Sequence, residues 1–75
     1  MEIHKIEDIS SLIKKRRKEL NLTQAECATF CGVGNRFLSE LENGKESIHL
    51  GKALQVIRTL GLNVQIIENE SNEKP

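Results

Sequence analysis

The stretch CGVGN, Cys31 to Asn35, places two glycines two residues apart between segments whose apolar residues repeat at helical spacing on both sides. Glycine is disfavoured inside a helix, and it takes the left-handed conformation that ends one more readily than any other residue. The chain must therefore turn sharply there, within three or four residues, and leave two short helices in contact. That break restricts the fold more than any other feature of the sequence.

The flanking segments carry their own starts, apolar faces and stops. Thr23 is placed to cap a helix from Gln24 to Cys31 with Cys27, Ala28 and Cys31 inward; Gly32 ends it, and Val33 plugs the gap between helices. The next helix is capped by Gly34, turns Leu38 and Leu41 inward and stops at Asn43-Gly44. Upstream, ISSLIKKRRKEL puts Ile9, Ile13, Arg17 and Leu20 on one side, with Leu12 beside them and Asp8 as N-cap. Downstream, Ser47 is the expected cap of a helix whose stripe is Leu50, Ala53, Leu54, Ile57 and Leu60, ending at Gly61.

After Gly61 the period changes to two: Leu62, Val64 and Ile66 alternate with Asn63 and Gln65, and Ile67 follows. A lone apolar strand exposes unpaired N–H and C=O groups, so it predicts pairing. The N-terminal IHKI is one partner; the same strand of a second subunit is the better one, because dyad-related pairing is self-complementary. The expected organisation is an N-terminal extension over 1–8, a helical domain over 9–61, a dimerisation strand over 62–67 and a flexible tail over 68–75.

At 75 residues the chain has room for one domain with one small core. It holds no run of about 20 apolar residues, and MEIHKIEDIS is too polar for a signal peptide, so a cytoplasmic protein without a membrane partner is expected. Cys27 and Cys31, four apart, share a helix face as core residues, and with His4 or His49 they match no usual zinc spacing. No metal or other cofactor is expected. Nor is catalysis: no nucleophile stands with a plausible base, and no phosphate-binding loop is present. The formal net charge is zero but unevenly placed: residues 9–62 hold nine Lys/Arg against five Glu, while the first eight and last thirteen residues each sum to −2. KKRRK, residues 14–18, is either part of a basic interaction surface or a solvated helix face.

Two helices joined by a short glycine-containing turn make a helix-turn-helix, whose second helix is presented to the DNA major groove. An ordinary helical hairpin uses the same ingredients. With TQAE opening one helix, G-V in the turn and LENGK closing the next, residues 9–45 resemble the Xre/Cro family of phage-repressor helix-turn-helix domains. GVGNRFLSELENGK followed by LGKALQVIRTLGLNVQII is similar to the HipB-like antitoxins, small autorepressors encoded beside a HipA-type kinase. Departures are Cys27 and Cys31 where larger aliphatics are usual, and Gly34 where a polar cap is common.

The resemblance implies an all-α, phage-repressor-like domain of about four helices with a C-terminal dimerising β-strand. It implies base contacts from Asn35, Arg36, Ser39 and Glu40, with Arg36 suited to guanine and Asn35 to adenine. Glu40 either accepts from cytosine or orients Arg36. Backbone contacts fall to Thr23, Gln24, Gly34, Asn43, Gly44 and Lys45. Arg17, on the edge of an apolar stripe, needs a partner, and the family pattern supplies Glu42. The dimer interface falls to Leu62, Val64, Ile66 and Ile67. The implied function is a repressor of its own operon, binding double-stranded DNA at an inverted-repeat operator as a homodimer and pairing with a HipA-like kinase toxin. A protein-interaction module with weak or no DNA binding, or a plain phage-type repressor, is the alternative.

Overall fold

The computed structural model describes residues 2–66, which form four α-helices: α1 Ile6–Glu19, α2 Gln24–Cys31, α3 Asn35–Glu42 and α4 Leu50–Thr59. Ile13 of α1, Cys27, Ala28 and Cys31 of α2, Leu38 and Leu41 of α3, and Ala53, Val56 and Ile57 of α4 meet in one buried cluster, closed by Leu60. Ile9, Leu22, Val33, Phe37, Ile48, Leu54 and Leu62 pack around it. Burying a Leu, Ile or Val side chain contributes about 1.5–3 kcal/mol, so these contacts dominate the favourable side of folding. None of the described helices is long and apolar enough to cross a membrane.

All four helices end in the same way. The residue past the last turn is left-handed in each case, Asn21 (φ 59°), Gly32 (72°), Gly44 (80°) and Gly61 (80°). The next N–H then reaches back five residues: Leu22 to Arg17, Val33 to Ala28, Lys45 to Glu40 and Leu62 to Ile57. This double bond pattern satisfies carbonyls that a helix leaves unpaired, and an apolar residue after the left-handed one usually seals it. Leu22, Val33 and Leu62 do so here. Lys45 is the exception, and it bonds instead through its charge, as described below.

Carbonyls near the helix ends also take hydrogen bonds from side chains elsewhere in the chain. Gln55 Nε2 of α4 donates to Cys31 O of α2 at 2.8 Å, and Arg16 Nε of α1 to Leu60 O after α4 at 2.8 Å. The buried Ser10 hydroxyl of α1 lies between Ile6 O and Leu41 O of α3. These bonds join α2 to α4, α4 to α1 and α1 to α3.

Several expectations are corrected. Asp8 is not the N-cap of α1. The helix begins at Ile6, and the Asp8 carboxylate three residues in accepts from the backbone N–H of His4 at 2.8 Å and Lys5 at 3.1 Å. No ladder joins IHKI to 62–66 within this subunit, and Ile6 is already helical. Leu20 is 38% exposed, and Ser10 takes a buried place on the α1 stripe. Ser47 does not cap α4; His49 does, its Nδ1 accepting from Lys52 N–H at 3.2 Å. Ala53, Ile57 and Leu60 are buried and Leu54 packs against the core as expected, but Leu50 is 63% exposed and Val56, on the other flank of the stripe, is fully buried in its stead.

No strand forms among the described residues; 62–66 carry neither helix nor ladder. A strand that pairs only across a dyad has no ladder partner inside one subunit.

Candidate nucleic-acid interface

The orientation of α3 is fixed by a charge pair in its last turn. Arg17 lies on the inner side of α1, and its guanidinium meets the Glu42 carboxylate through two bonds, Nε to Oε2 at 2.7 Å and Nη2 to Oε1 at 3.0 Å. The Glu42 side chain is 1% exposed and that of Arg17 10%. Such charges are tolerated inside only when fully paired. The remaining donors and acceptors are satisfied too: Arg17 Nη1 donates to Leu22 O at 2.8 Å, and Gln24 Nε2 donates to Glu42 Oε1 at 3.0 Å. The pairing also raises the Arg17 pKa, its bond to Glu42 outweighing the cost of burial. One carboxylate thus ties α1, the first turn of α2 and the end of α3 together.

Residues 36 and 40 are one helical turn apart, and 35 and 39 adjoin them, so all four lie on the side of α3 away from Leu38 and Leu41. Asn35 and Arg36 are exposed, Arg36 almost completely with 91% of its side chain open to solvent. Ser39 and Glu40 are half-buried. Arg36 Nε donates to Glu40 Oε2 at 3.3 Å, and Lys45 Nζ reaches the same oxygen at 3.3 Å. The hydrogen bond from Lys45, with Arg36 second, holds the Glu40 carboxyl below the usual glutamate range. With Nε engaged, Arg36 keeps its two terminal nitrogens free side by side, the pair that fits a two-acceptor edge end-on.

At the turn, Thr23 caps α2 by accepting from Glu26 N–H at 3.1 Å, and Glu26 Oε1 accepts from Thr23 N–H at 2.9 Å. Gly32 must be left-handed, and a methyl group added there would stand 3.2 Å from Gln55 Nε2. Gly34 is different. Its φ of −72° suits any residue, and nothing lies within 4 Å of an added methyl group, so the fold makes no demand for glycine there.

Residues 13–67 match the helix-turn-helix family profile. The chain belongs to the helix-turn-helix family. Among its helix-turn-helix relatives is an uncharacterized HTH-type transcriptional regulator, y4mF, of Sinorhizobium fredii. It is 48% identical over 60 residues, covering 80% of this chain and 79% of that protein. An uncharacterized HTH-type transcriptional regulator of Methanothermobacter thermautotrophicus is 43% identical over 51 residues, covering 68% and 74%. Solved structures share the fold at lower identity. A HipB-O4 20mer complex matches with a TM-score of 0.80 at 20% identity, covering 91% of this chain and 96% of that one. A HipA-HipB-O2-O3 complex matches with the same TM-score, identity and coverage.

Within this helix-turn-helix, Asn35, Arg36, Ser39 and Glu40 come together with Lys45 at the end of α3, while Asn43 and Gly44 form its stop. Gln24, in the first turn of α2, lies half-buried beside the end of α3, bonded inward to Glu42. Leu62 is half-buried on its own core and its N–H closes α4, which leaves Val64 (54% exposed) and Ile66 (95%) as the outward apolar residues. Ile67 lies outside the described residues. Cys27 and Cys31 are buried with Sγ atoms 4.0 Å apart, and burial pushes the Cys31 thiol up to about 12. Of KKRRK, Arg16 and Arg17 point into the structure, and only Lys14, Lys15 and Lys18 are exposed. Sequence reasoning missed the ties made by Ser10, Arg16 and Gln55. Each spans more than 20 positions to its partner, and no local pattern signals it.

Proposed function

We propose that the protein is a transcriptional repressor that binds an inverted-repeat operator as a homodimer, and that it serves in the cytoplasm as the antitoxin of a HipBA-like pair, holding a HipA-like kinase. The observation that carries the DNA reading is the contrast across α3. Its inner side is locked by the Arg17–Glu42–Gln24 network, while Arg36 projects from its outer side almost wholly free. A preorganised helix with an open polar face is what base readout requires. Arg36 reads guanine through its two terminal nitrogens, Asn35 pairs with adenine, Ser39 adds a hydroxyl, and Glu40 accepts from cytosine or steadies Arg36. Thr23, Gln24, Gly34, Asn43, Gly44 and Lys45 meet the sugar-phosphate backbone. Support for the antitoxin role is the fold shared with HipB, including HipB assembled with HipA. Support for the dimer is the exposure of Val64 and Ile66 beyond α4, where pairing with a second copy through 62–67 covers them.

The test is binding to DNA upstream of its own gene and to single-base variants across a salt series. Arg36→Ala should lose about 1–3 kcal/mol per half-site and relax preference at one base pair, whereas Lys45→Ala should weaken all sequences alike. Half-site centres should lie about 34–36 Å apart. No preference for any inverted repeat would favour an interaction module of the same fold. Co-expression with an adjacent kinase gene tests the antitoxin role, and lack of a complex would leave a plain repressor. A chain cut after Gly61 should be monomeric by light scattering; a stable dimer would remove 62–67 from the interface.

A further inference from the structure

The first turn of α4 reaches across to the flank of α3. Lys52 is exposed, and its Nζ stands 5.8 Å from the centroid of the Phe37 ring, inside the ~6 Å over which an ammonium is drawn to an aromatic face. Both partners are anchored. Phe37 is half-buried against the core, and the Lys52 backbone N–H is held by the His49 cap at 3.2 Å. Lys45 has its charge opposed by Glu40, whereas no carboxylate among the described residues pairs with Lys52.

Phe37 is one residue on from Arg36, hence ~80° around α3 from the mean direction of Arg36 and Glu40. A helix ~10–12 Å across lying in a major groove ~12 Å wide fills it, so side chains on the flank face the sugar-phosphate walls. We infer that Lys52 is a phosphate contact beside the recognition helix, and that Phe37 is the residue that positions it. The inference rests on the DNA-binding reading above. It adds α4 to an interface otherwise assigned to the starts of α2 and α3 and the end of α3, and it gives the aromatic ring at 37 a role apart from packing.

The experiment uses the full chain, its own upstream DNA and a non-specific duplex. In the free protein the ε-methylene protons of Lys52 should be shifted upfield by the ring, and Phe37→Leu should abolish that shift while Phe37→Tyr keeps it. Lys52→Gln should lower the slope of log K against log salt by about 0.9 per subunit on both duplexes, with Lys52→Arg restoring it. Phe37→Leu, verified to unfold like the unaltered chain, should weaken binding about two- to fivefold, and Phe37→Tyr should not. Should Phe37→Leu fail to fold, the exposed Lys52 variants carry the test alone. An unchanged slope in Lys52→Gln, with the unaltered protein binding DNA, overturns this contact and leaves the DNA reading standing. No binding by the unaltered protein at any salt overturns both.

Discussion

Removing either end of the Arg17–Glu42 pair should destabilise the domain far more than removing both. The Glu42 carboxylate is buried and accepts from Arg17 Nε, Arg17 Nη2 and Gln24 Nε2. Glu42→Leu leaves a guanidinium facing an apolar side chain with two donors unmet, and Arg17→Met leaves a carboxylate with one neutral donor. Each uncompensated charge costs about 3–5 kcal/mol. A domain of this length has roughly 4–11 kcal/mol in all, so each single variant should melt at least ~12 °C lower. In the double variant no charge is stranded, and Met against Leu restores apolar contact; the losses are the donor to Leu22 O and the acceptor for Gln24. Urea unfolding followed by circular dichroism should then show the double variant losing less than either single one, a coupling of at least about 3 kcal/mol in the double-mutant cycle. Single losses that add within ~0.5 kcal/mol would show that the two side chains do not act as a unit, and the account of how α3 is oriented would fall.

Gly32→Ala should cost about 1–2 kcal/mol through the left-handed backbone alone, and more if Gln55 is pushed off Cys31 O; Gly34→Ser should leave urea stability unchanged or slightly raised. Asp8, bonded by His4 N–H and then Lys5 N–H, and Glu40, bonded by Lys45, are both held below the ordinary carboxylate range. Their contribution is full above their unfolded values and lost as pH falls through the folded ones, so stability should drop below about pH 4. A titration in which Asp8→Asn and Glu40→Gln together leave that acid limb unaltered would contradict the assignment. Cys27 and Cys31, buried and with burial raising both thiols, should resist alkylation at neutral pH and react rapidly in urea. Fast labelling of the native chain, monitored by mass spectrometry, would mean that α2 opens far more readily than its packing implies.

The parts of the fold that are legible in the sequence are those decided within a few residues. Thr23, Gly32, Gly34 and the Asn43-Gly44 stop bound α2 and α3 because caps and left-handed turns are local chemistry. The start of α1 is misread because an aspartate satisfies free N–H groups equally well as the cap or three residues inside the helix, and sequence does not say which. In α4, Ala53, Ile57 and Leu60 are legible as the buried stripe, but Leu50 and Val56 flank it on opposite sides, and only the neighbouring helices decide which of the two is buried. His49 is passed over as a cap because imidazole is an uncommon acceptor in that role. For the site, the apolar stripe exposes Arg17 as a charge in need of a partner, but the choice of Glu42, 25 residues away, comes only with the family resemblance. That Glu40 holds both Arg36 and Lys45 is half legible: the first is an i, i+4 pair, and the second depends on how the chain leaves α3.

The bonds that Ser10, Arg16 and Gln55 send to carbonyls near the ends of other helices bear on motion as well as on shape. A free helix end frays at little free-energy cost, and amides in its last turn normally exchange with deuterium through such local openings. Here, opening the last turn of α2 or α3, or the exit from α4, also breaks a bond to another helix, which favours concerted opening over independent fraying. Amides at those positions should therefore exchange at rates near those of the central core. A partner meeting α3 then encounters a nearly uniform population, and little of its affinity is lost to subunits caught in a non-binding state.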